Sequence, residues 1–159
     1  MGVKVEGFMS ANELLMRIDT TAKRRVVKSL IQKGVELRDM AKKMAPRDHA
    51  NLEDAIKMRP EGAERLRDDL GRFAKVEIEV YIDMDTPVPE RPGKTVGDYA
   101  YEIHEHQTPM GSIQLGEKSL EKQDSNGGVQ VGGGFMYRAV EAVDKEIDFA
   151  LQEALNEVF

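Results

Sequence analysis

Between Ser10 and about Ala45, apolar and small residues recur at Leu15, Ile18, Ala22, Val26, Leu30, Gly34, Leu37, Ala41 and Met44. Their mean step is about 3.6 residues, the period of one face of an α-helix. Ser10-Ala11-Asn12-Glu13 reads as a capping box at the start: the hydroxyl accepts from one orphan N–H and the glutamate reaches back to another. Ala45-Pro46 closes the other end, because a residue before proline is pushed out of the α region. A helix of this length spans roughly 50 Å at 1.5 Å per residue. A compact chain of 159 residues has a diameter of only about 40 Å. The helix must therefore bend, with Gly34 as its weak point, or run past its own core to meet another subunit.

That core is of modest size. Hydrophobic residues make up 40% of the chain and charged ones 33%, so the expected product is one domain with a wet surface. There is no cysteine, hence no disulfide framework and no thiolate metal site, as suits a reducing compartment. No apolar run approaches 18 residues and the N-terminus lacks the apolar core of a signal peptide, so a soluble intracellular protein, or part of a particle assembled in the cytoplasm, is expected. The net charge of −6 argues against wholesale nucleic-acid binding. The charge is unevenly spread: Ser10 to Pro46 holds nine Lys/Arg against four Asp/Glu, and Tyr137 to Phe159 holds two against six. The basic cluster Lys23, Arg24, Arg25, Lys28 reads first as a solvated helix face. Contact with an acidic neighbour, such as another copy's C-terminal helix, comes second and a phosphate contact third.

Along the rest of the chain, Met1 to Met9 alternates weakly through Val3, Val5 and Phe8, as an edge strand or a fraying end would. Polar residues after Pro46 indicate a turn with Asp48 as a helix cap, and Leu52 to Arg59 suits either a helix or a strand. The charged stretch Ala63 to Leu70 suggests a surface helical turn. Ala74 to Asp83 is the clearest strand: Val76, Ile78, Val80 and Ile82 point one way, Glu77, Glu79, Tyr81 and Asp83 the other. Strict alternation implies an antiparallel sheet with one wet face. Thr86 to Gly93 carries three prolines and must be loop, and Val96 to Glu105 suits a short helix. Gln107 to Gly134 has seven glycines in 28 residues and no period, which predicts an extended functional loop or β-arm. In that arm Ile113 and Leu115 would pair with Val129 and Val131 around an Asn126-Gly127 tip. A second helix is predicted from about Phe135 to Phe159, with Met136, Val140, Val143, Ile147, Leu151, Ala154 and Val158 on its inner face.

Signals for catalysis are thin. Val80-Tyr81-Ile82-Asp83-Met84-Asp85-Thr86 resembles the first motif of haloacid-dehalogenase-type phosphatases, in which one aspartate attacks phosphorus and the next protonates the leaving group. Those enzymes carry the motif on a central parallel strand, apolar on both faces, whereas here Glu77 and Glu79 alternate with the apolar positions and Pro87 interrupts the fuller pattern. His104-Glu105-His106 shares a face only on a strand; on a helix the two imidazoles diverge by about 200°. Gly132-Gly133-Gly134 lacks the Lys-Ser/Thr of a phosphate-binding loop and reads as a hinge. No serine sits in a nucleophile elbow. Neither a catalytic residue nor a cofactor or metal is expected.

Three stretches carry a different signal. Ala45-Pro46 is followed six residues later by Leu52-Glu53-Asp54-Ala55-Ile56, then come Tyr99-Ala100-Tyr101-Glu102-Ile103-His104-Glu105-His106-Gln107-Thr108 and Gly134-Phe135-Met136-Tyr137-Arg138-Ala139-Val140. In this order they resemble the tail-component or tail-completion (neck) proteins of long-tailed bacteriophages. That family shows a helix ending in Ala-Pro, a Thr-Gly-x-Leu-x-x-Ser-Ile-like segment, a Tyr-Ala-x-x-x-Glu-x-Gly-Thr-like segment and Pro-Phe-Leu-x-x-Ala before a last helix. This chain departs at Ala50-Asn51, Gln107-Thr108 and Gly134, and carries an acidic insertion, Glu61 to Gly71. The resemblance implies an α+β fold, with long N- and C-terminal helices packed on a small antiparallel sheet. It also implies a non-enzymatic structural virion protein forming a ring at the head-to-tail junction. Its partners would be further copies of itself, as a hexamer or a dodecamer, and neighbouring neck, connector or tail-tube proteins. DNA would pass through an acidic lumen without sequence-specific contact. The contact residues expected on this reading are Arg24, Arg25, Lys28, Glu105, Gln107, Ile113, Leu115, Val129, Val131 and Phe135. The alternatives are a phosphatase-like hydrolase using Asp83 and Asp85, and a small nucleic-acid-binding module using the Lys23 to Lys28 face.

Overall fold

A computed structural model describes residues 2–3, 20–47, 51–59, 78–106 and 115–156. Helix α1 runs Thr20–Met44. Val26, Val27, Leu30, Leu37 and Ala41 are buried along it, so the 3.6-residue spacing is realised as an inner face. Its last backbone bond is Ala45 N–H to the Ala41 carbonyl at 2.9 Å, and Pro46 follows, where the helix was expected to stop. The Ser10 capping box and the first turns of the expected helix lie outside the described residues.

Helix α5, Phe135–Asn156, packs antiparallel along α1. The Ser29 hydroxyl donates to the Ala150 carbonyl at 3.5 Å, Lys33 Nζ lies 3.1 Å from Glu146 Oε2, and at the other end Gly132 N–H donates to the Met44 carbonyl at 3.0 Å. Met136, Val143 and Ile147 are buried on its inner face, as the spacing predicted.

Strands β1 (Gly2–Val3), β2 (Ile56–Arg59) and β3 (Glu79–Ile82) form an antiparallel sheet in the order β1-β3-β2. Gly2 pairs with Tyr81 and Val3 with Val80; Ile56, Lys57, Met58 and Arg59 pair with Ile82, Tyr81, Val80 and Glu79. Ile78, Val80 and Ile82 are buried while Glu79 and Tyr81 are half-exposed, so the sheet has one apolar face and one polar face. On the polar face the Arg59 guanidinium lies 4.1 Å from the Tyr81 ring centroid. Both readings of Leu52 to Arg59 are realised: one helical turn, α2 (Asn51–Ala55), feeds directly into β2.

At Gly34 α1 crosses the sheet. A methyl group there would lie 2.6 Å from Ile78 Cγ2 and 2.9 Å from Met58 Sδ; glycine lets the helix backbone approach the strands that closely. The proline-rich loop after β3 is tied down: Val88 N–H donates to the Lys94 carbonyl at 3.0 Å and Val96 N–H to the Thr86 carbonyl at 2.8 Å. A 3-10 turn, Val96–Asp98, leads into α3, Ala100–His106, which matches the short helix expected there. Leu37, Ala41, Leu52, Ile56, Val80, Ile82, Val96, Ala100 and Phe135 belong to one buried cluster, drawn from both long helices, the sheet and the segment between them. The architecture is α+β, as expected.

The glycine-rich stretch differs from the hairpin arm expected of it. Glu117–Ser125 is a helix, α4, and Asn126, expected at a hairpin tip, is its C-cap and donates N–H to the Lys122 carbonyl at 3.0 Å. Eight of the nine residues of Glu-Lys-Ser-Leu-Glu-Lys-Gln-Asp-Ser are polar, so α4 has almost no apolar stripe for a period search to find. Ile113 lies outside the described residues. No helix among the described residues is long and apolar enough to cross a membrane.

Candidate functional site

The C-terminal end of α1 gathers polar groups from remote parts of the chain. A helix leaves its last four carbonyls without partners, and here α4 supplies donors to them. Lys122, only 7% exposed, donates from Nζ to the carbonyls of Lys42 at 2.5 Å and Ala45 at 2.7 Å. Asn126 Nδ2 donates to the Lys43 carbonyl at 3.3 Å. The Ser119 hydroxyl accepts from Arg47 N–H at 2.9 Å and donates to the Arg47 carbonyl at 3.0 Å, so it stands in for a missing strand partner just past Pro46. A cation at this end also opposes the negative pole of the helix dipole.

Glu53 of α2 completes the arrangement. Its Oε1 lies 3.0 Å from Lys122 Nζ and 3.6 Å from Arg47 Nε, close enough for ion pairing without a hydrogen bond to either. Burial lowers the pKa of Lys122, and the neighbouring Glu53 opposes that shift. The glycine turn is fixed by its own cation: Arg138 donates to the carbonyls of Gln130 at 2.8 Å and Gly132 at 3.0 Å. Gly134, at φ +64°, donates N–H to the His104 carbonyl at 2.7 Å. Proline, usual here in the resembling family, has neither that φ nor that N–H.

Beside this junction opens a cleft of about 380 Å³. Its apolar floor comes from Pro46, Leu52, Val88, Tyr99 and Ile103, and its rim carries both signs of charge, Arg47, Arg91 and Lys118 against Glu90 and Glu117. Asn51 Nδ2 donates to Glu90 Oε2 at 3.0 Å across that rim.

The expected contact residues separate into three groups. Arg25 and Lys28 are exposed on α1, while Leu115 and Val129 are half-buried. Phe135 and Val131 are 0% and 1% exposed. The His104 ring packs edge-on against Phe135, with centroids 5.1 Å apart. These two are therefore core residues in this chain and not surface contacts: Phe135 opens α5 facing inward, and Val131 N–H is held by Gln123 Oε1 at 3.0 Å. Gln107 and Ile113, and the side chains of Arg24 and Glu105, lie outside the described residues. Lys122, Ser119 and Arg138 carry the junction; Arg138 stands at a variable position of the third stretch, and no motif had pointed to Lys122 or Ser119. A lysine in a charged run gives no sign of burial, since its partners are backbone carbonyls.

Asp83 and Asp85 sit at the exit of β3. Asp83 Oδ2 accepts from Lys57 Nζ at 2.5 Å and its Oδ1 from Asp85 N–H at 3.2 Å. The hydrogen bond from Lys57 holds the Asp83 carboxyl below the ordinary aspartate range. His104 and His106 share the short helix α3. Among the described residues there is no cluster of three or more His, Cys, Asp or Glu placed to hold a metal ion. No protein family, curated protein or solved structure compared with the chain matches it.

Proposed function

We propose that this chain is a structural, non-enzymatic virion protein, a ring-forming subunit of the head-to-tail junction of a long-tailed phage. It would assemble through contacts with further copies and with adjacent neck, connector or tail-tube proteins, while DNA passes through the ring. The observation that supports this reading is convergence. The three stretches resembling tail-completion proteins lie far apart in sequence yet meet at one junction. Ala45, Leu52 and Ile56 of the first, Ala100 of the second and Phe135 and Ala139 of the third belong to one buried cluster, and Gly134 N–H donates to the His104 carbonyl at 2.7 Å. One stretch ends α1, the second forms α3 and the third opens α5, so their order reflects a shared packing unit. On this reading Arg24, Arg25, Lys28, Glu105, Gln107, Ile113, Leu115 and Val129 face neighbouring subunits.

The different-class reading is a phosphatase-like hydrolase with Asp83 and Asp85. The Lys57 ammonium already engages the Asp83 carboxylate, on a strand of an antiparallel sheet, which favours the structural role. Light scattering across a concentration series separates the two. A discrete six-fold or twelve-fold species with no phosphate-ester hydrolysis is the expected outcome. A monomer at every concentration, with hydrolysis abolished by Asp83→Asn, overturns the proposal.

A further inference from the structure

Opposite charge is divided between the two long helices. The sequence of α1 holds eight Lys/Arg and two Asp/Glu; that of α5 holds five Asp/Glu and two Lys/Arg. Inside the chain this contrast is bridged at Lys33 and Glu146, 3.1 Å apart. The outward residues lie elsewhere. Arg25, Lys28 and Gln32 form an exposed stripe at successive turns of α1. Glu141, Asp144, Asp148 and Glu153 are exposed on α5, and none of the four forms an ion pair among the described residues. At the edge of that acidic face, next to Glu153, stands Phe149, 65% exposed, more than any other large hydrophobic among the described residues. Its neighbours three and four positions away are Lys145, Glu146, Gln152 and Glu153. An aromatic anchor inside a polar ring is the usual form of an interface hot spot.

The two surfaces also stand at one height. Ser29, next to Lys28, bonds to Ala150, next to Phe149, at 3.5 Å. A rotation about an axis parallel to the helix pair leaves heights unchanged, so the Lys28 stripe of one copy comes level with Asp148 and Phe149 of the next. We infer that the acidic face of α5, with Phe149 at its edge, docks against the Arg25–Lys28 stripe of α1 in a second copy of this chain. The helices then alternate α1, α5, α1, α5 around a belt, antiparallel at each step. Such a contact joins two different surfaces, so it propagates head to tail and closes where the rotation closes. This inference rests on the self-assembly part of the proposed function and names the surfaces that would carry it.

The test uses the full chain with single variants Phe149→Ala, Lys28→Glu and Asp148→Lys, and the double variant Lys28→Glu/Asp148→Lys, each followed by light scattering across concentration and salt. All three sites are exposed, and circular dichroism checks that every variant is folded. Each single variant is expected to move the midpoint of assembly to at least about tenfold higher concentration, and the double variant to restore it, because opposed charges meet again with their signs exchanged. Added salt is expected to weaken wild-type assembly. A wild-type oligomer indifferent to all three single variants overturns the belt while leaving ring formation standing. Failure of the double variant to restore assembly overturns this pairing of surfaces. A wild-type chain that never self-associates overturns both the belt and the ring.

Discussion

At its middle, α1 meets the sheet through a gap left by Gly34, where Ile78 and Met58 fill the space a side chain would occupy. At its C-terminal end it meets α4 through Lys122, Ser119 and Asn126, which bond to the carbonyls of residues 42–47. The first contact is apolar and depends on shape; the second is polar and depends on direction. Of the residues of α4, those buried are Ser119 and Lys122, while Leu120 is exposed. Burying apolar surface is the stronger attraction but is indifferent to register. Hydrogen bonds to helix-end carbonyls add less net stability, yet they permit one placement only. The middle of α1 therefore supplies cohesion, and its end supplies orientation for α4, the cleft and the start of α5.

Gly34→Leu is the most severe challenge to that division. The added side chain has no room against Ile78 and Met58, and overpacking of this kind is expected to destabilise the chain by about 3 kcal/mol, read by denaturant unfolding. Lys122→Met probes the other region. It keeps the length of the side chain but leaves the Lys42 and Ala45 carbonyls and the Glu53 carboxylate without their ammonium. A loss of about 2 kcal/mol is expected. Hydrogen exchange should locate it, with α4 amides losing protection before those of α1 and β3. If α1, β3 and α4 lose protection together, the two regions form one cooperative unit and the contrast drawn above fails.

Lys57→Met gives the smallest effect, on the wet side of the sheet. Asp83 has a folded pKa below its ordinary value because Lys57 bonds to it. Its unfolded value lies near about 3.9, so the stabilisation is present above that pH and is lost as pH falls through the folded value. The variant should raise the Asp83 pKa towards the ordinary range and flatten acid unfolding slightly, as followed by carboxyl-carbon NMR titration. An unchanged titration would show that backbone contacts at the turn, and not Lys57, depress it.

The arrangement of α1, β3 and α5 was readable in the chain because each buries a repeating face. The recurrences at Val26, Leu30, Leu37 and Ala41, at Ile78, Val80 and Ile82, and at Met136, Val143 and Ile147 all became buried stripes. The ends were equally plain where Pro46 and Phe135 marked them. Leu52 to Arg59 was ambiguous for a physical reason: one turn of helix followed by four residues of strand is too short for either period to emerge. The Gln107 to Gly134 stretch misled because glycine content signalled an arm, whereas a polar helix with an inward-facing lysine holds its centre.

By itself, then, the sequence determined the α+β class, the two long helices, the one-sided strand and the stop at Pro46, since periodicity and backbone stereochemistry act between near neighbours. Tertiary structure alone decided that Gly34 is a crossing point, that Lys122 lies buried and that Phe135 and Val131 belong to the core. The first two outcomes depend on partners 24 to 80 positions away, Met58 and Ile78 for Gly34 and the Lys42 and Ala45 carbonyls for Lys122. A backbone carbonyl looks the same at every residue, so nothing in the amino-acid order records which side chain will come to cap it.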